Sequence, residues 1–181
     1  GTDIIVAHTA ARKVTELFML SFSVLGTTMA TFCGQNLGAG QIKRIRRGIR
    51  TAIGMAWIWC IGVIIVTNLF APAMISVLTS STKPEVVDTA SLYLRINTTL
   101  YFVTAMITII RNSMQGIGDR VTPIISSMIE LVGKVVIVIV LVPKLGYMGV
   151  IVSEPIVWVL MVIPLIVQII RTPILKIQNE K

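Results

Sequence analysis

Apolar residues gather into five stretches, each long enough to cross the hydrocarbon core of a bilayer, which takes about 20 helical residues. These predicted spans lie near residues 14–33, 51–71, 92–115, 121–142 and 146–170. Short turns around Gly116 to Asp119 and around Pro143 to Gly146 join the last three spans, so those spans are predicted to be antiparallel neighbours. The pattern predicts an all-α membrane protein, a polytopic bundle with five transmembrane helices.

Two more polar stretches flank these spans. Residues 1–13 have the composition of a polar loop, so His8 is predicted to be an ordinary loop residue. Because the sequence starts within that loop, it is predicted to be a piece of a longer protein. Pro72 and Pro84 interrupt helix between the second and third spans. Residues 86–91 within that stretch are predicted to form a short surface helix leading into the third span.

Composition supports a bilayer as the solvent of this chain and excludes several classes of function. Apolar residues make up 55%, charged residues 13%, and mean hydropathy is +0.88, outside the range of ordinary soluble domains. The net charge of +8 does not indicate a nucleic-acid partner, because the basic residues lie in short turns with few interleaved aromatics. One histidine and two isolated cysteines predict no metal site, cofactor or enzyme site.

The distribution of Lys and Arg in alternate loops predicts the orientation of the spans. One side carries ten basic residues: Lys43, Arg44, Arg46, Arg47, Arg50, Arg111, Arg120, Arg171, Lys176 and Lys181. The other side carries five: Arg12, Lys13, Lys83, Arg95 and Lys144. Residues 34–50 and the C-terminus are therefore predicted to be cytoplasmic, with the Gly1 end outside.

Polar residues inside the spans are the candidates for function, because a bilayer cannot satisfy them. Six in the third span recur at steps of four and three, the spacing of one helix face: Asn97, Tyr101, Thr104, Thr108, Arg111 and Gln115. The first span has a weaker version: Glu16, Ser23, Thr27 and Thr31. Two interpretations stay open, namely hydrogen bonding between packed helices and the wall of a hydrated substrate cavity.

Charged residues in the last two spans add further candidates. Glu130 and Lys134 are four residues apart near the centre of the fourth span, where an ion pair is expected. That pair either locks the bundle or opens to exchange protons or meet a cationic substrate. Glu154 directly precedes Pro155 in the fifth span and faces either a cavity or the outer interface.

Two motifs resemble those of the multidrug and toxic compound extrusion (MATE) family. GQNLGAG, residues 34–40, followed by KRIRRGIR is similar to the family signature after the second helix of each six-helix lobe. NSMQGIGDRVTP, Asn112 to Pro123, is similar to the turn between the fourth and fifth helices of a lobe. The resemblance covers essentially the whole of residues 1–181 and implies helices eight to twelve, most of the C-terminal lobe. The signature residues Gly34, Gln35, Asn36, Gly38 and Gly40 are expected to form a tight cytoplasmic turn.

The resemblance also implies a function for the parent protein. It implies secondary active efflux of cationic or amphipathic compounds by Na⁺ or H⁺ antiport across the cytoplasmic membrane, with two lobes alternating access to a central cavity. The partner would be the missing N-terminal lobe. Some branches of the family carry a cation-binding carboxylate in helix ten, whereas residues 92–115 contain none, so the coupling ion is undecided. A lipid-linked saccharide flippase of the same superfamily and a non-transporting membrane scaffold are the alternatives.

Overall fold

Six helices make up the computed structural model, which describes residues 2–79 and 83–172, with side chains from residue 5 onward. They are α1 (Thr2–Gly38), α2 (Ile42–Thr79), α3 (Pro84–Thr99), α4 (Tyr101–Gly116), α5 (Val121–Leu145) and α6 (Tyr147–Arg171). Four of them, α1, α2, α5 and α6, are long and apolar enough to cross a membrane. α3 and α4 make a fifth span when counted as one bent unit, which confirms the all-α polytopic bundle.

The third span is broken, contrary to the continuous helix that the polar spacing predicts. α3 and α4 meet at an angle of 50° around Leu100, whose φ and ψ are −97° and 9°. Just before the break, the side chains of Asn97, Thr98 and Thr99 each donate to the backbone carbonyl four residues earlier. Such local bonds compete with the helical ladder and bend helices.

The N-terminal stretch is helical, so the prediction of a polar loop over residues 1–13 is wrong for the part that the structure describes. Small apolar side chains on one face of α1, including Ala7, Ala11 and Val14, are buried. They pack against Ala71 and Ile75 of α2 and against α3, and burial of this face stabilises helix despite the polar residues between. His8 is consequently a helical residue.

The predicted surface helix over residues 86–91 is part of α3 and is packed into the bundle. Val86, Val87 and Ala90 are buried in the same cluster as the start of α1. Pro84 occupies the first turn of α3, where proline is tolerated because its missing N–H would have no helical partner.

Five basic residues predicted to lie in a loop belong instead to the first turns of α2. Ile45 and Ile49 are buried between them, so this segment is an amphipathic continuation of the membrane helix. The turn itself is only three residues long, with Gly40 at a φ of 68°. Gly34 to Gly38 form the last turns of α1, so most of the signature is helix rather than turn. Arg111 likewise lies within α4 and not in a loop.

The last two helices form an antiparallel hairpin, as the short connection predicts. Pro143 and Lys144 remain in α5, and the chain reverses at Gly146, whose φ is 56°. α5 packs mainly on α6 and exposes a long apolar face that includes Leu131, Val135 and Ile139, which suits contact with lipid. Lys176 and Lys181 lie outside the described residues, as does the predicted location of the C-terminus.

A close approach of α1 to α4 brings the two family-like motifs into contact. A Cβ added at Gly116 would overlap the backbone carbonyl oxygen of Ala30 and lie 3.0 Å from the Cβ of Cys33. A Cβ at Gly34 would lie 3.3 Å from the backbone oxygen of Gly116. Glycine at both positions lets the two helix backbones touch.

Candidate functional site

A cavity of about 290 Å³ lies between α1, α3, α4, α5 and α6. Its lining contains three acidic and three basic side chains, which are Glu16, Glu130, Glu154, Arg12, Arg111 and Lys134. Glu130 lies about 13 Å along α5 from its start, and Glu154 about 10 Å along α6 from its own start at the opposite end of the hairpin. Both carboxylates therefore lie about two helical turns or more from the ends of apolar helices that are long enough to cross a bilayer.

Glu130 is held by two cations from two helices. Lys134 Nζ donates to Glu130 Oε1 over 2.8 Å, so the predicted pair is formed. Arg111 of α4 lies 4.0 Å from Glu130 Oε2 and also donates to the hydroxyl of Ser127. Because the three charged side chains are between 30% and 43% exposed, solvent screens this network and its contribution to stability is modest.

Glu154 has a different environment. Tyr93 of α3 donates its hydroxyl to Glu154 Oε2 over 2.9 Å. Among the described residues no cationic side chain lies within ion-pair distance of Glu154. The carboxylate is thus held by a neutral donor, and a proton or a cation can reach it without breaking a salt bridge.

A histidine packs beside that tyrosine. His8 meets the ring of Tyr93 edge to face with ring centroids 5.2 Å apart, and its Nδ1 lies 3.1 Å from the hydroxyl of Tyr147. Sequence reasoning that treats residues 1–13 as a loop misses this contact. The three side chains connect α1, α3 and α6 at one end of the cavity.

Unpaired hydroxyls favour a hydrated interior. Thr15 is 5% exposed, and its Oγ1 has no protein partner among the described residues; the same holds for Thr104 Oγ1. Both residues line the cavity. A buried hydroxyl without a protein partner is normally satisfied by water or a bound ligand.

Thr104 and Thr108 also line an adjoining cavity of about 300 Å³, which the bundle forms between α1 and α4. Ser23, Thr27 and Asn112 supply the other polar groups of its wall. Met19 borders both cavities. Together the two cavities form a polar path along the α1–α4 interface.

Seven of the nine predicted substrate or ion residues line the two cavities. Glu16, Thr104, Thr108, Glu130, Lys134 and Glu154 line the larger cavity, and Thr27 lines the smaller one. Their roles stay predictions. Asn97 lies on α3, which the break at Leu100 separates from Thr104, whereas Tyr101 lies on α4 with Thr104 but is packed in the hydrophobic core. Asn97 is fully buried and donates to the Tyr93 carbonyl, and Tyr101 is buried with its hydroxyl 3.5 Å from the Thr15 carbonyl.

Several lining residues are not among those predictions. Arg12 falls outside the predicted spans, whereas Thr15 and Tyr93 lie just inside the first and third spans. The one available signal is the four-residue spacing of Arg12 and Glu16, which form an ion pair of 3.7 Å at the exposed rim. Among the described residues, no group of three or more His, Cys, Asp or Glu side chains could hold a metal ion.

Asp119, in the second family-like motif, ties the start of α5 to α6. Its carboxylate accepts from the backbone N–H groups of Val121 and Thr122, from the Thr122 hydroxyl over 2.7 Å and from Gln168 over 3.3 Å. Desolvation raises the pKa of Asp119, but the bonds from Thr122, Gln168 and Val121 outweigh it and lower the pKa below its ordinary value. This turn residue acts as a helix cap and a latch between helices.

Comparisons with known proteins agree with this architecture. A family model described as MatE matches residues 1–141. A solved structure, described as the inward-facing conformation of a multidrug resistance MATE family transporter of the MOP superfamily, superposes with a TM-score of 0.82. It is 21% identical, and the match covers 96% of this chain and 41% of that one, so the likeness shows the fold alone. No curated protein matches this chain.

Proposed function

Because the chain belongs to the MATE family of membrane transporters, we propose that it forms most of one lobe of a secondary active exporter. The substrates would be cationic or amphipathic compounds, and the driving ion Na⁺ or H⁺. The solved relative carries multidrug resistance in its description, and this chain spans about two-fifths of that relative's length. A second lobe would supply the facing half of the transport path, since one lobe cannot alternate access by itself.

The observation that carries this proposal is the charged cavity in the interior of the bundle. Ionised side chains at membrane depth cost roughly 2.5 to 3.5 kcal/mol each on insertion scales, so the four charged residues that line the cavity inside its exposed Arg12–Glu16 rim are expensive unless they have a role. The formal charges of all six side chains around the cavity cancel, with three acids and three bases. Such a cavity can change its charge by one when a single carboxylate takes up a proton or a cation.

We assign different roles to the two deepest carboxylates. Glu130 is neutralised by Lys134 and faces Arg111, so it holds α5 against α4. Glu154 is bonded by Tyr93, a neutral donor, and is free to exchange a coupling ion. This makes Glu154 the first candidate for coupling and Glu130 a positioning residue.

The alternatives are less consistent with the cavity. A flippase for a lipid-linked saccharide needs free cations for the phosphates, whereas Arg12, Arg111 and Lys134 each face a carboxylate. A non-transporting scaffold needs a dry, fully packed interior, whereas the hydroxyls of Thr15 and Thr104 have no partner among the described residues. We further propose the plasma membrane as location, with the start of α2 facing the cytoplasm, as the basic residues there suggest.

Transport by the full-length protein in proteoliposomes tests these assignments. Export of a cationic dye is measured under an imposed pH gradient, an imposed Na⁺ gradient and neither. Glu154→Gln is expected to abolish the response to the driving gradient, and Glu130→Gln to lower transport while keeping that response. Equal rates with and without gradients in the unaltered protein would contradict antiport. An unchanged gradient response in Glu154→Gln would remove Glu154 from coupling.

A further inference from the structure

A groove between α1 and α2 carries a second polar feature, remote from the charged cavity. The groove has a volume of about 460 Å³ and opens on the outer surface of the bundle. Its walls are mostly apolar and come from Leu25, Met29, Phe32 and Met55, and the Arg44 and Arg47 side chains lie at one end. None of these residues lines the cavity assigned to transport.

The length of the groove matches one leaflet of a bilayer. Arg44 and Met55 are eleven residues apart on α2, which corresponds to about 16 Å along the helix axis. Half of a hydrocarbon core is about 15 Å thick. The arginines lie near the turn at Gly40, where α1 ends and α2 begins, and Leu25 and Met55 lie deeper in the two apolar helices, which is the arrangement expected of charges at a membrane surface.

The arginines are available to an anion. Arg44 and Arg47 are three residues apart on one face of α2, and both side chains are exposed. Among the described residues, no carboxylate lies within ion-pair distance of either guanidinium. Two adjacent guanidinium groups suit a phosphate, which they can bind through several charge-assisted hydrogen bonds.

Gly48 shapes the groove beneath the arginines. A Cβ at this position would collide with the ring of Phe32, so glycine allows that ring to lie across the face of α2. The ring then forms part of the apolar wall directly beside the charged end. An apolar groove of leaflet length with paired cations at one end is complementary to an anionic phospholipid.

We propose that this groove, formed by Leu25, Met29, Phe32, Met55, Arg44 and Arg47, binds one anionic phospholipid. The phosphate of the lipid lies on Arg44 and Arg47, and an acyl chain lies along Leu25, Met29 and Met55. Basic pockets between transmembrane helices are a known mode of lipid headgroup binding. The proposal does not depend on which compounds the protein transports.

Native mass spectrometry of the full-length protein, purified in mild detergent and titrated with lipid, tests the proposal. Phosphatidylglycerol is expected to bind more tightly than phosphatidylcholine with the same acyl chains, and this comparison needs no variant. The double variant Arg44→Ala/Arg47→Ala should lose about tenfold or more in affinity for phosphatidylglycerol. The matched control Lys43→Ala/Arg50→Ala removes two exposed charges from the same helix outside the groove and should bind within about twofold of the unaltered protein.

Three results would overturn the proposal. The first is equal affinity for the two lipids, and the second is equal loss in the two double variants, which would indicate unspecific attraction to the basic helix. The third concerns the occupant of the groove, which is tested in membranes with a photoreactive amino acid in place of Met55. This group is expected to crosslink to lipid. Crosslinking to another part of the protein would show that a helix and not a lipid fills the groove.

Discussion

The hydroxyl of Tyr93 on α3 donates a 2.9 Å hydrogen bond to Glu154 on α6, across the wall of the charged cavity. The ring of Tyr93 is 1% exposed and packs against His8, so its position is set by the core rather than by the carboxylate. A fixed donor of this kind orients the one cavity carboxylate that faces no cation among the described residues.

Tyr93→Phe should alter the coupling-ion dependence of transport while leaving the fold intact. The phenylalanine ring fills the same buried space, and only the hydroxyl bond to a carboxylate is lost, an interaction of about 1.5 to 3 kcal/mol. We expect the apparent affinity for the coupling ion to change by about tenfold or more. Dye export in proteoliposomes at varied Na⁺ and pH measures it.

Tyr101→Phe is the matched control for that experiment. It removes the same atom from another buried tyrosine, whose hydroxyl faces the Thr15 carbonyl instead of an acid. The ion dependence should stay unchanged in this variant. If both variants behave alike, the bond to Glu154 has no special role.

Cysteine labelling should separate the two halves of the third span. Thr104→Cys and Thr108→Cys place a thiol on the cavity walls, and we expect aqueous thiol reagents to modify them in at least one state of the transporter. Asn97→Cys places a thiol at a fully buried position before the helix break and should stay unreactive. The native Cys33 and Cys60 are both buried and give the background.

The labelling rates of the three introduced thiols are measured in membranes, with and without substrate. Equal protection of all three introduced thiols in every state would mean that the cavity is dry. That result would favour the scaffold interpretation over a transport path.

Gly116→Ala should destabilise the protein through a backbone clash. The new methyl group would overlap the Ala30 carbonyl on α1, so the two helices have to separate, at a cost of about 1 to 3 kcal/mol. A lowered midpoint of thermal unfolding in detergent is the expected readout. Gly62→Ala is the control, since a Cβ there meets nothing within 4 Å, and removing a helical glycine is expected to raise stability slightly.

Asp119→Asn should lower stability at neutral pH and lose this effect in acid. The folded pKa of Asp119 is below its ordinary value of 3.8, so the carboxylate stabilises the fold above that value and ceases to do so as the pH falls through the folded pKa. Near pH 7 the substitution should cost about 1 kcal/mol, because hydrogen bonds to a charged acceptor become bonds to a neutral amide oxygen. Thermal unfolding at pH 7 and in the acid range measures both ends.

Asp88→Asn removes an exposed carboxylate from α3 and serves as the reference for the net charge change. It should show no comparable dependence on pH. A difference between Asp119→Asn and the unaltered protein that persists below the folded pKa of Asp119 would mean that the pH-sensitive latch is wrongly assigned.

Hydropathy predicts the five spans and the fold class because crossing a bilayer needs length and apolarity, and both can be read directly from the amino-acid sequence. Helix ends are predicted less well. The segment around His8 and the basic residues before Arg50 look polar in sequence, yet each carries a narrow apolar face that the bundle buries. A local count of polar residues does not detect packing against residues that are distant in the sequence.

The candidate site likewise contains residues that the sequence predicts and residues that it does not. Glu130 and Lys134 are predictable because their four-residue spacing is local. The grouping of Asn97 with Thr104 fails because it assumes an unbroken helix, whereas α3 and α4 meet at 50° at Leu100. Tyr101 shares α4 with Thr104, but its ring is packed in the core and does not reach the cavity wall. Tyr93 escapes prediction because its contact with Glu154 joins residues 61 positions apart.

The contact between Gly34 and Gly116 has a consequence for how relatives of this protein can diverge. The two glycines belong to motifs far apart in the sequence, yet each occupies space that the other helix needs. A larger residue at one position is tolerated only if α1 and α4 separate, which changes the space available at the other. Among homologous chains, substitutions in the two motifs should therefore occur together rather than independently.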